Sequence, residues 1–269
     1  MKLSEVYAIL DKVAPKALSD EFCAQMNGYD NSGVLVDCGE EIKGILFSLD
    51  LTSAAIAEAK KVGANLIVTH HPAIYGKIGN ILSGDESSVG DKLVKCLRCG
   101  ISVVSMHLNL DSAVGGIDES LMQGICLAAG GAKGEKVEKL FALSEGGYGR
   151  VYDVQETTLG TLAKNISKEF TTERVVTYGA EDRKIGRVAS FCGAGGDERG
   201  VAFAKACNAD VIVSSDFKHH VITMAQESGL AIITLTHYAS EHYGFVKYYN
   251  KIRQQVDLPC VYHTDEYLL

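Results

Sequence analysis

The feature that most constrains the fold of this chain is an internal repeat. Residues 44–69 and 189–214 share one pattern: a strand, a turn, an alanine-rich helix and a short apolar strand. Both copies then continue through a helix into a second apolar strand, Gly100–Ser105 in the first copy and Gly229–Thr234 in the second. A chain that carries this unit twice is predicted to fold as two related halves.

The repeat also predicts the fold class. Apolar strands that alternate with helices are typical of α/β structure, in which helices cover both faces of a mostly parallel sheet. At 269 residues the chain is long enough for two such units. We expect two similar α/β halves from an internal duplication, over residues 1–130 and 131–269, with a C-terminal helix that can pack back on the first half. Glycine-rich residues 130–150 are the expected boundary.

Three short segments carry histidines, two of them with a carboxylate four residues later. They are His70-His71-Pro72, His107-x-x-x-Asp111 and His237-x-x-x-Glu241. All three fall just after predicted strands, and ligands of open α/β sheets bind at the carboxyl ends of strands. Imidazole and carboxylate together suit zinc, iron, manganese or nickel. The sequence therefore predicts a site for more than one divalent ion, in the cleft between the halves.

The residues around each ligand predict its local geometry. Adjacent strand residues point to opposite faces and a residue before proline favours extended backbone, so the rings of His70 and His71 are expected to splay apart. Alternating polar and apolar residues predict an extended segment with His107, Asn109 and Asp111 on one side. There His107 can bind metal, orient Asp111 or move protons.

His237 and Glu241 are predicted to share one face at the start of a helix that runs from Ala239 toward Lys251. Side chains four residues apart are neighbours on a helix, so this imidazole and carboxylate can hold or bridge metal ions. An ordinary exposed His–Glu pair is the alternative for the segment taken alone.

Three weaker features leave alternatives open. The glycine-rich residues 192–197 follow a strand and open a helix, which is typical of an anion site at a helix N-terminus or of a plain tight turn. His219 and His220 open a helix in the second half, where they either contact substrate or lie on an ordinary helix face. Cys96 and Cys99 form a lone CxxC, which favours buried or incidental thiols over a redox or metal site.

Composition argues against several classes of protein. The net charge of −8 argues against a general nucleic-acid binder, since binding phosphates needs clustered Lys and Arg. The sequence has no apolar run of about eighteen residues, so no membrane span is expected. Eight cysteines without a secretion signal predict reduced thiols in a cytoplasm.

Motifs along nearly the whole chain resemble those of the GTP cyclohydrolase I type 2 family, also called NGG-interacting-factor-like proteins. Residues 28–33, Gly-Tyr-Asp-Asn-Ser-Gly, resemble its W-D-N-x-G element, and residues 49–52 its L-D-x-T strand. Residues 70–72 match H-H-P, residues 107–111 match H-x-N-x-D, and residues 236–241 resemble G-H-Y-x-x-E. Tyr29 replaces Trp and Thr236 replaces Gly, changes that affect pocket shape more than metal ligation.

The resemblance implies a ligand set and an assembly. The positions that match the family's ligands to two divalent ions are His70, His71, Asp111, His237 and Glu241. Glu241 is then expected to bridge the ions, and His107 to lie beside them. Members of the family resemble ring-shaped hexamers, so the resemblance also implies a homohexamer.

The expected function is that of a dinuclear, divalent-metal-dependent hydrolase with a small-molecule substrate. The family's activity implies GTP as that substrate, with water attacking C8 of guanine and formate leaving. His107, His219 or His220 would move protons. The alternatives are a metallohydrolase of another nucleotide or phosphoester, and a non-catalytic metal-binding scaffold.

Overall fold

The computed structural model describes residues 1–85, 88–131 and 134–269. Two residues of the predicted boundary, Ala132 and Lys133, lie outside the described part. In chain order the elements are α1 (Leu3–Val13), α2 (Lys16–Met26), β1 (Gly33–Val36), β2 (Ile45–Ser48), α3 (Ser53–Val62), β3 (Leu66–Thr69), α4 (Val89–Arg98), β4 (Ser102–Ser105), α5 (Leu108–Ser112), α6 (Ile117–Ala128), β5 (Glu135–Ala142), β6 (Gly147–Thr158), α7 (Leu159–Glu169), β7 (Val176–Tyr178), β8 (Lys184–Ser190), α8 (Glu198–Ala206), β9 (Val211–Ser214), α9 (His219–Glu227), β10 (Ala231–Thr234), α10 (His237–Ile252) and β11 (Cys260–Tyr262), followed by a 3₁₀ turn at Glu266–Leu268.

The chain divides into two compact units. Unit 1 consists of Met1–Ala113 and Phe245–Thr264, and unit 2 of Val114–Gly244 and Asp265–Leu269. These bounds differ from the predicted halves, 1–130 and 131–269, because α6 belongs to unit 2 and β11 belongs to unit 1. The halves were defined by the sequence repeat, and that division stays a prediction about the duplication.

The sheet of unit 1 has the strand order β1-β4-β3-β2-β11. Strands β4, β3, β2 and β11 are parallel to one another, and β1 pairs antiparallel with β4. Every residue of β2, β3 and β4 is buried, which explains why these strands are short and apolar on both faces.

The sheet of unit 2 has the order β5-β6-β8-β9-β10-β7. Strands β8, β9 and β10 are parallel, whereas β7 pairs antiparallel with β10 and β6 pairs antiparallel with β8. A long antiparallel hairpin, β5 and β6, extends this sheet on one side.

The two sheets contain the same central motif. In unit 1 three parallel strands, β2, β3 and β4, are linked through α3 and α4 and flanked by antiparallel β1. In unit 2 the corresponding strands are β8, β9 and β10, linked through α8 and α9 and flanked by antiparallel β7. The α/β class predicted from the repeat is confirmed, strand by strand.

Local signals set the helix ends of the repeat. The Thr52 hydroxyl accepts from the Ala55 amide at the start of α3, and the Asp197 carboxylate accepts from the Gly200 amide at the start of α8. Gly63 ends α3 with φ of +73°, a left-handed conformation that favours glycine. Within the described residues, no helix combines the length and the apolar character that crossing a membrane requires.

Candidate metal centre

In each unit, the residues of interest follow the carboxyl ends of adjacent parallel strands. In unit 1, Asp50 comes after β2, His70 and His71 after β3, and His107 after β4. In unit 2, Gly193 follows β8, Asp216 follows β9 and His237 follows β10. The placement predicted from the sequence is therefore found within both units.

The rings of His70 and His71 converge, and the prediction that they splay apart is wrong. Their ring centroids are 4.8 Å apart. The strand alternation stops at Thr69, because the amides of His70 and His71 both donate to the Leu49 carbonyl, at 3.1 and 2.9 Å. This bend at the end of β3 brings both imidazoles into the same cluster.

The prediction of an extended segment at residues 107–111 is also wrong, since these residues form a helical turn. The amides of Leu110 and Asp111 donate to the His107 carbonyl at 2.8 and 2.9 Å. His107 and Asp111 still share a side, because they are four residues apart on a helix. Asn109 points elsewhere and donates to the Ala14 carbonyl at 2.7 Å.

Unit 1 thus assembles a cluster that can hold a metal ion. His70, His71 and His107 each offer one ligand nitrogen, and these atoms lie within 4.8 Å of one another. The Asp111 carboxylate comes within 3.5 Å of His70 Nε2. His70 and Asp111 are buried, whereas His71 and His107 keep part of their side chains in contact with solvent.

In all three imidazoles of the unit 1 cluster, an oxygen acceptor is hydrogen-bonded to Nδ1. The pairs are His70 with the Met106 carbonyl at 2.8 Å, His71 with Asp50 at 2.9 Å and His107 with Asp30 at 2.7 Å. A carbonyl or carboxylate oxygen can only accept, so Nδ1 carries a proton, and in the neutral ring the lone pair lies on Nε2. Metal-binding histidines are oriented in the same way.

Asp30 is held as an anion beside His107. Burial alone would raise the pKa of its carboxyl group, but hydrogen bonds from His107, Ser32 and Ser19 outweigh burial and lower this pKa well below its usual value. The carboxylate accepts from the Ser32 hydroxyl at 2.5 Å and the Ser19 hydroxyl at 2.7 Å. Asp30 therefore orients His107 through a fully hydrogen-bonded buried charge.

Unit 2 contains a second imidazole–carboxylate pair at the start of α10, where the sequence predicted it. His237 Nε2 lies 3.0 Å from Glu241 Oε1. His237 Nδ1 is hydrogen-bonded to the Asp216 carboxylate, so this ring follows the same rule as those of unit 1. Glu241 is buried and His237 is partly exposed.

The glycine-rich turn after β8 packs directly against this pair. The Gly193 amide donates to the Ser240 hydroxyl at 3.0 Å, and a Cβ atom at Gly193 would overlap the Glu241 carboxylate. Cβ atoms at Gly195 and Gly196 would collide with Tyr148 and Phe217. The sequence allowed either an anion site or a plain tight turn here. Close packing explains all three glycines, and the side chain of Asp197 caps the N-terminus of α8.

A buried ion pair supports the same turn. Asp118 pairs with Arg150, and both side chains are almost fully buried. The Asp118 carboxylate also accepts from the Gly149 amide at 3.0 Å and the Cys192 amide at 3.1 Å. Asp118 therefore fixes the position of Cys192, the residue that precedes Gly193.

The structure places His219 and His220 on the exposed first turn of α9. His220 Nε2 lies 2.7 Å from the Glu198 carboxylate of α8, and this exposed pair lowers the pKa of the Glu198 carboxyl group. These contacts do not test the proposed proton-transfer role of either histidine, which stays a prediction.

Sequence reasoning missed the acidic residues that orient the imidazoles. Asp30 and Asp50 lie in the motifs compared with the family, but no role was assigned to them. Asp216 aligns with His71 in the internal repeat, and this was the available signal. Tyr75 was also missed: its exposed ring lies 6.0 Å from the His107 ring, at the rim of the unit 1 cluster.

The donor atoms fit a divalent ion. Two ligand atoms that are each about 2.1 Å from a tetrahedral ion lie about 3.4 Å apart. The distances from His70 Nε2 to Asp111 and from His237 Nε2 to Glu241, 3.5 and 3.0 Å, bracket that value. With Nδ1 protonated and the ring neutral, each pair places the Nε2 lone pair and a carboxylate oxygen at a separation that suits a shared cation.

Known proteins resemble this chain over nearly its whole length. A "GTP cyclohydrolase 1 type 2 homolog" of Clostridium perfringens is 31% identical over 259 residues, covering 96% of this chain and 93% of the relative. "NGG1-interacting factor 3" of Saccharomyces cerevisiae is 26% identical and covers 91% of this chain and 88% of its own length.

Solved structures share the fold. "Reduced HcgD" from Methanocaldococcus jannaschii superposes with a TM-score of 0.79 at 25% identity, covering 97% of both chains. A Bacillus cereus protein related to NIF3 gives a TM-score of 0.80 at 18% identity over 97% of this chain and 96% of its own, a likeness of fold alone. The family model described as "Duf34/NIF3 (NGG1p interacting factor 3)" matches residues 1–265. The chain belongs to the Duf34/NIF3 family.

Proposed function

We propose that this chain is a divalent-metal-dependent hydrolase that acts on GTP or a related small molecule. Its ligands to two metal ions would be His70, His71 and Asp111 of unit 1 with His237 and Glu241 of unit 2. The expectation that these ligands share one site stays a prediction. The names of the relatives support the choice of GTP.

One observation carries the proposal. The four histidines, His70, His71, His107 and His237, all present Nε2 as the lone-pair nitrogen, because Nδ1 is occupied by an oxygen acceptor. Ordinary surface histidines would not share one tautomer. A set of imidazoles that are fixed in this state, next to buried carboxylates, is typical of a metal site.

The residues of the proposed site would have different roles. Divalent ions, when bound, supply Lewis-acid activation of water and of the substrate. The carboxylates Asp50 and Asp216 hold His71 and His237 in the ligating tautomer, and the buried Asp30 orients His107 through the same Nδ1 contact. His107, on the partly exposed edge of the cluster, is the best placed group for moving a proton.

Metal analysis and turnover test the proposal. Protein purified without chelators should contain about two divalent ions per chain, as two-metal catalysis requires. It should release formate from GTP, and Glu241→Gln should abolish release together with one or both ions. Glu227→Gln, the same change at an exposed position at the end of α9, is the matched control and should preserve both properties.

The outcomes separate the alternatives. Cleavage of another nucleotide or a phosphoester, with GTP intact, would favour a metallohydrolase of different substrate. Tight metal binding without turnover of any substrate would favour a metal-binding scaffold. Absence of metal after chelator-free purification would overturn the proposal.

We also propose a homohexamer in the cytoplasm. The hexamer rests on the family resemblance and is tested by light scattering of the purified protein. All eight cysteines are free thiols in the structure, which supports a reducing compartment.

A further inference from the structure

We propose that unit 1 has a second ligand site, for a phosphorylated small molecule, at the opposite edge of its sheet from the histidine cluster. A pocket of about 650 Å³ lies where β3 and β4 begin, next to the C-terminal ends of α3 and α4. Small-molecule sites commonly have volumes of about 300–1,000 Å³. The residues that line this pocket include none of the proposed metal ligands.

Cationic side chains converge on this pocket. Lys43, Lys60 and Arg98 line it, with Glu40 as the one carboxylate among the lining residues. None of the three cations forms an ion pair with a described residue, although Arg98 acts electrostatically on Asp91. Three exposed cations without an ion-pair partner among the described residues thus line one pocket of a chain with a net charge of −8.

The other cations in the last turns of the same two helices are paired. Lys61, next to Lys60 on α3, lies 3.3 Å from Glu58. Lys95, one turn before Arg98 on α4, lies 2.8 Å from Asp91. Among the cations in these last turns, the two that line the pocket, Lys60 and Arg98, form no ion pair with a described residue, and the two outside it do.

Helix dipoles do not account for all of this charge. Each helix C-terminus carries about half a negative charge, so α3 and α4 together offset about one cation. Glu40 offsets another. About one positive charge remains, and a bound anion would be drawn to it and to three cationic hydrogen-bond donors.

The walls of the pocket are fixed by the backbone. The Asn65 side chain accepts from the Lys43 amide at 2.7 Å and donates to the Glu41 carbonyl at 2.8 Å, so it ties this segment to the start of β3. At the end of α4, the Cys99 and Ile101 amides both donate to the Cys96 carbonyl, at 3.1 and 2.9 Å. A preformed anion site loses less conformational entropy when it binds its ligand.

Cys99 provides a local reporter. It is exposed and lines the pocket, whereas Cys96 is fully buried and burial raises the pKa of its thiol to about 12. Pyrophosphate is the probe, and alkylation of Cys99 by iodoacetamide, followed by peptide mass spectrometry, is the measurement. We expect bound pyrophosphate to slow alkylation about tenfold, because it blocks access of the reagent to the thiol.

Two double variants, each of which removes two positive charges from α3 and α4, test the role of the pocket cations. Lys60→Gln with Arg98→Gln should abolish the protection, leaving the rate within about twofold of that without pyrophosphate. Lys61→Gln with Lys95→Gln removes the same charge from the same helices and should keep it. Circular dichroism checks that both variants are folded.

Two results would overturn the site. One is an alkylation rate that pyrophosphate does not change at low ionic strength. The other is equal protection in both double variants, which would mean that the cations serve only the helix ends. Metal content should be unchanged in both variants, so this test fails or succeeds independently of the proposed hydrolase.

Discussion

Replacing Gly193 by alanine tests whether the glycine turn exists to admit the Glu241 carboxylate. Gly193 has φ of +56°, and a Cβ atom there would overlap Glu241 Oε1 and lie 3.2 Å from His237 Nε2. To restore van der Waals contact, the carboxylate would have to move by about 1 Å. The substitution therefore displaces a proposed metal ligand without removing it.

Two costs contribute, and a second glycine separates them. Alanine in the left-handed region costs about 1–2 kcal/mol. Gly229 has φ of +78°, and no heavy atom lies within 4 Å of an added Cβ, so Gly229→Ala carries this cost alone. Gly193→Ala carries a steric cost as well, about 1–3 kcal/mol by analogy with overpacked cores.

Urea unfolding and competition with a chromophoric zinc chelator measure the two effects. Both variants should lower the free energy of unfolding, Gly193→Ala by more. Only Gly193→Ala should weaken zinc binding, by about 10- to 100-fold. Gly193→Ala with wild-type zinc affinity, or equal weakening in both variants, would refute the assignment of Glu241 as a ligand held by this turn.

Three further predictions follow from the contacts. Asp50→Ala, which removes the acceptor on His71 Nδ1, should weaken zinc binding about 10- to 100-fold in the same competition assay. Asp118→Ala should lower the free energy of unfolding by about 3–5 kcal/mol in urea, because it leaves Arg150 buried without its main counter-charge. Burial raises the pKa of the Cys96 thiol from 9.0 to about 12, so the protonated thiol stabilises the folded state. This stabilisation should be complete below pH 9 and should decline by up to about 1.4 kcal/mol per pH unit up to pH 12. Urea unfolding across that range measures the decline.

Each of these predictions has its own control. Asp37 lies in an exposed turn, and Asp37→Asn removes one negative charge, as Asp50→Ala does. This control should leave zinc affinity unchanged. Unimpaired stability of Asp118→Ala would mean that the buried pair contributes nothing net. For the alkaline transition, Cys96→Ala should flatten the pH dependence between 9 and 12, and an unchanged slope would assign it to other groups, such as Tyr7, whose pKa is also raised to about 12.

Sequence alone determined the architecture of this protein and the chemical type of its site. Short apolar strands and an alanine-rich helix recur in both copies of the repeat, and such periodicity is local, so it can be read without a structure. The position of His70 after β3 and of His237 after β10 followed from the same pattern, because strand ends are visible in sequence.

Tertiary structure decided how those side chains are held. Asp30 and His107 are 77 residues apart in the chain, and Asp118 and Cys192 are 74 apart, so no local pattern encodes either contact. The bend at His70 depends on the carbonyl of Leu49, which directly follows the neighbouring strand β2. The strands must pair before distant segments can form these hydrogen bonds and before Gly193 can approach Glu241. The sequence alone therefore could not predict the tautomers of the histidines.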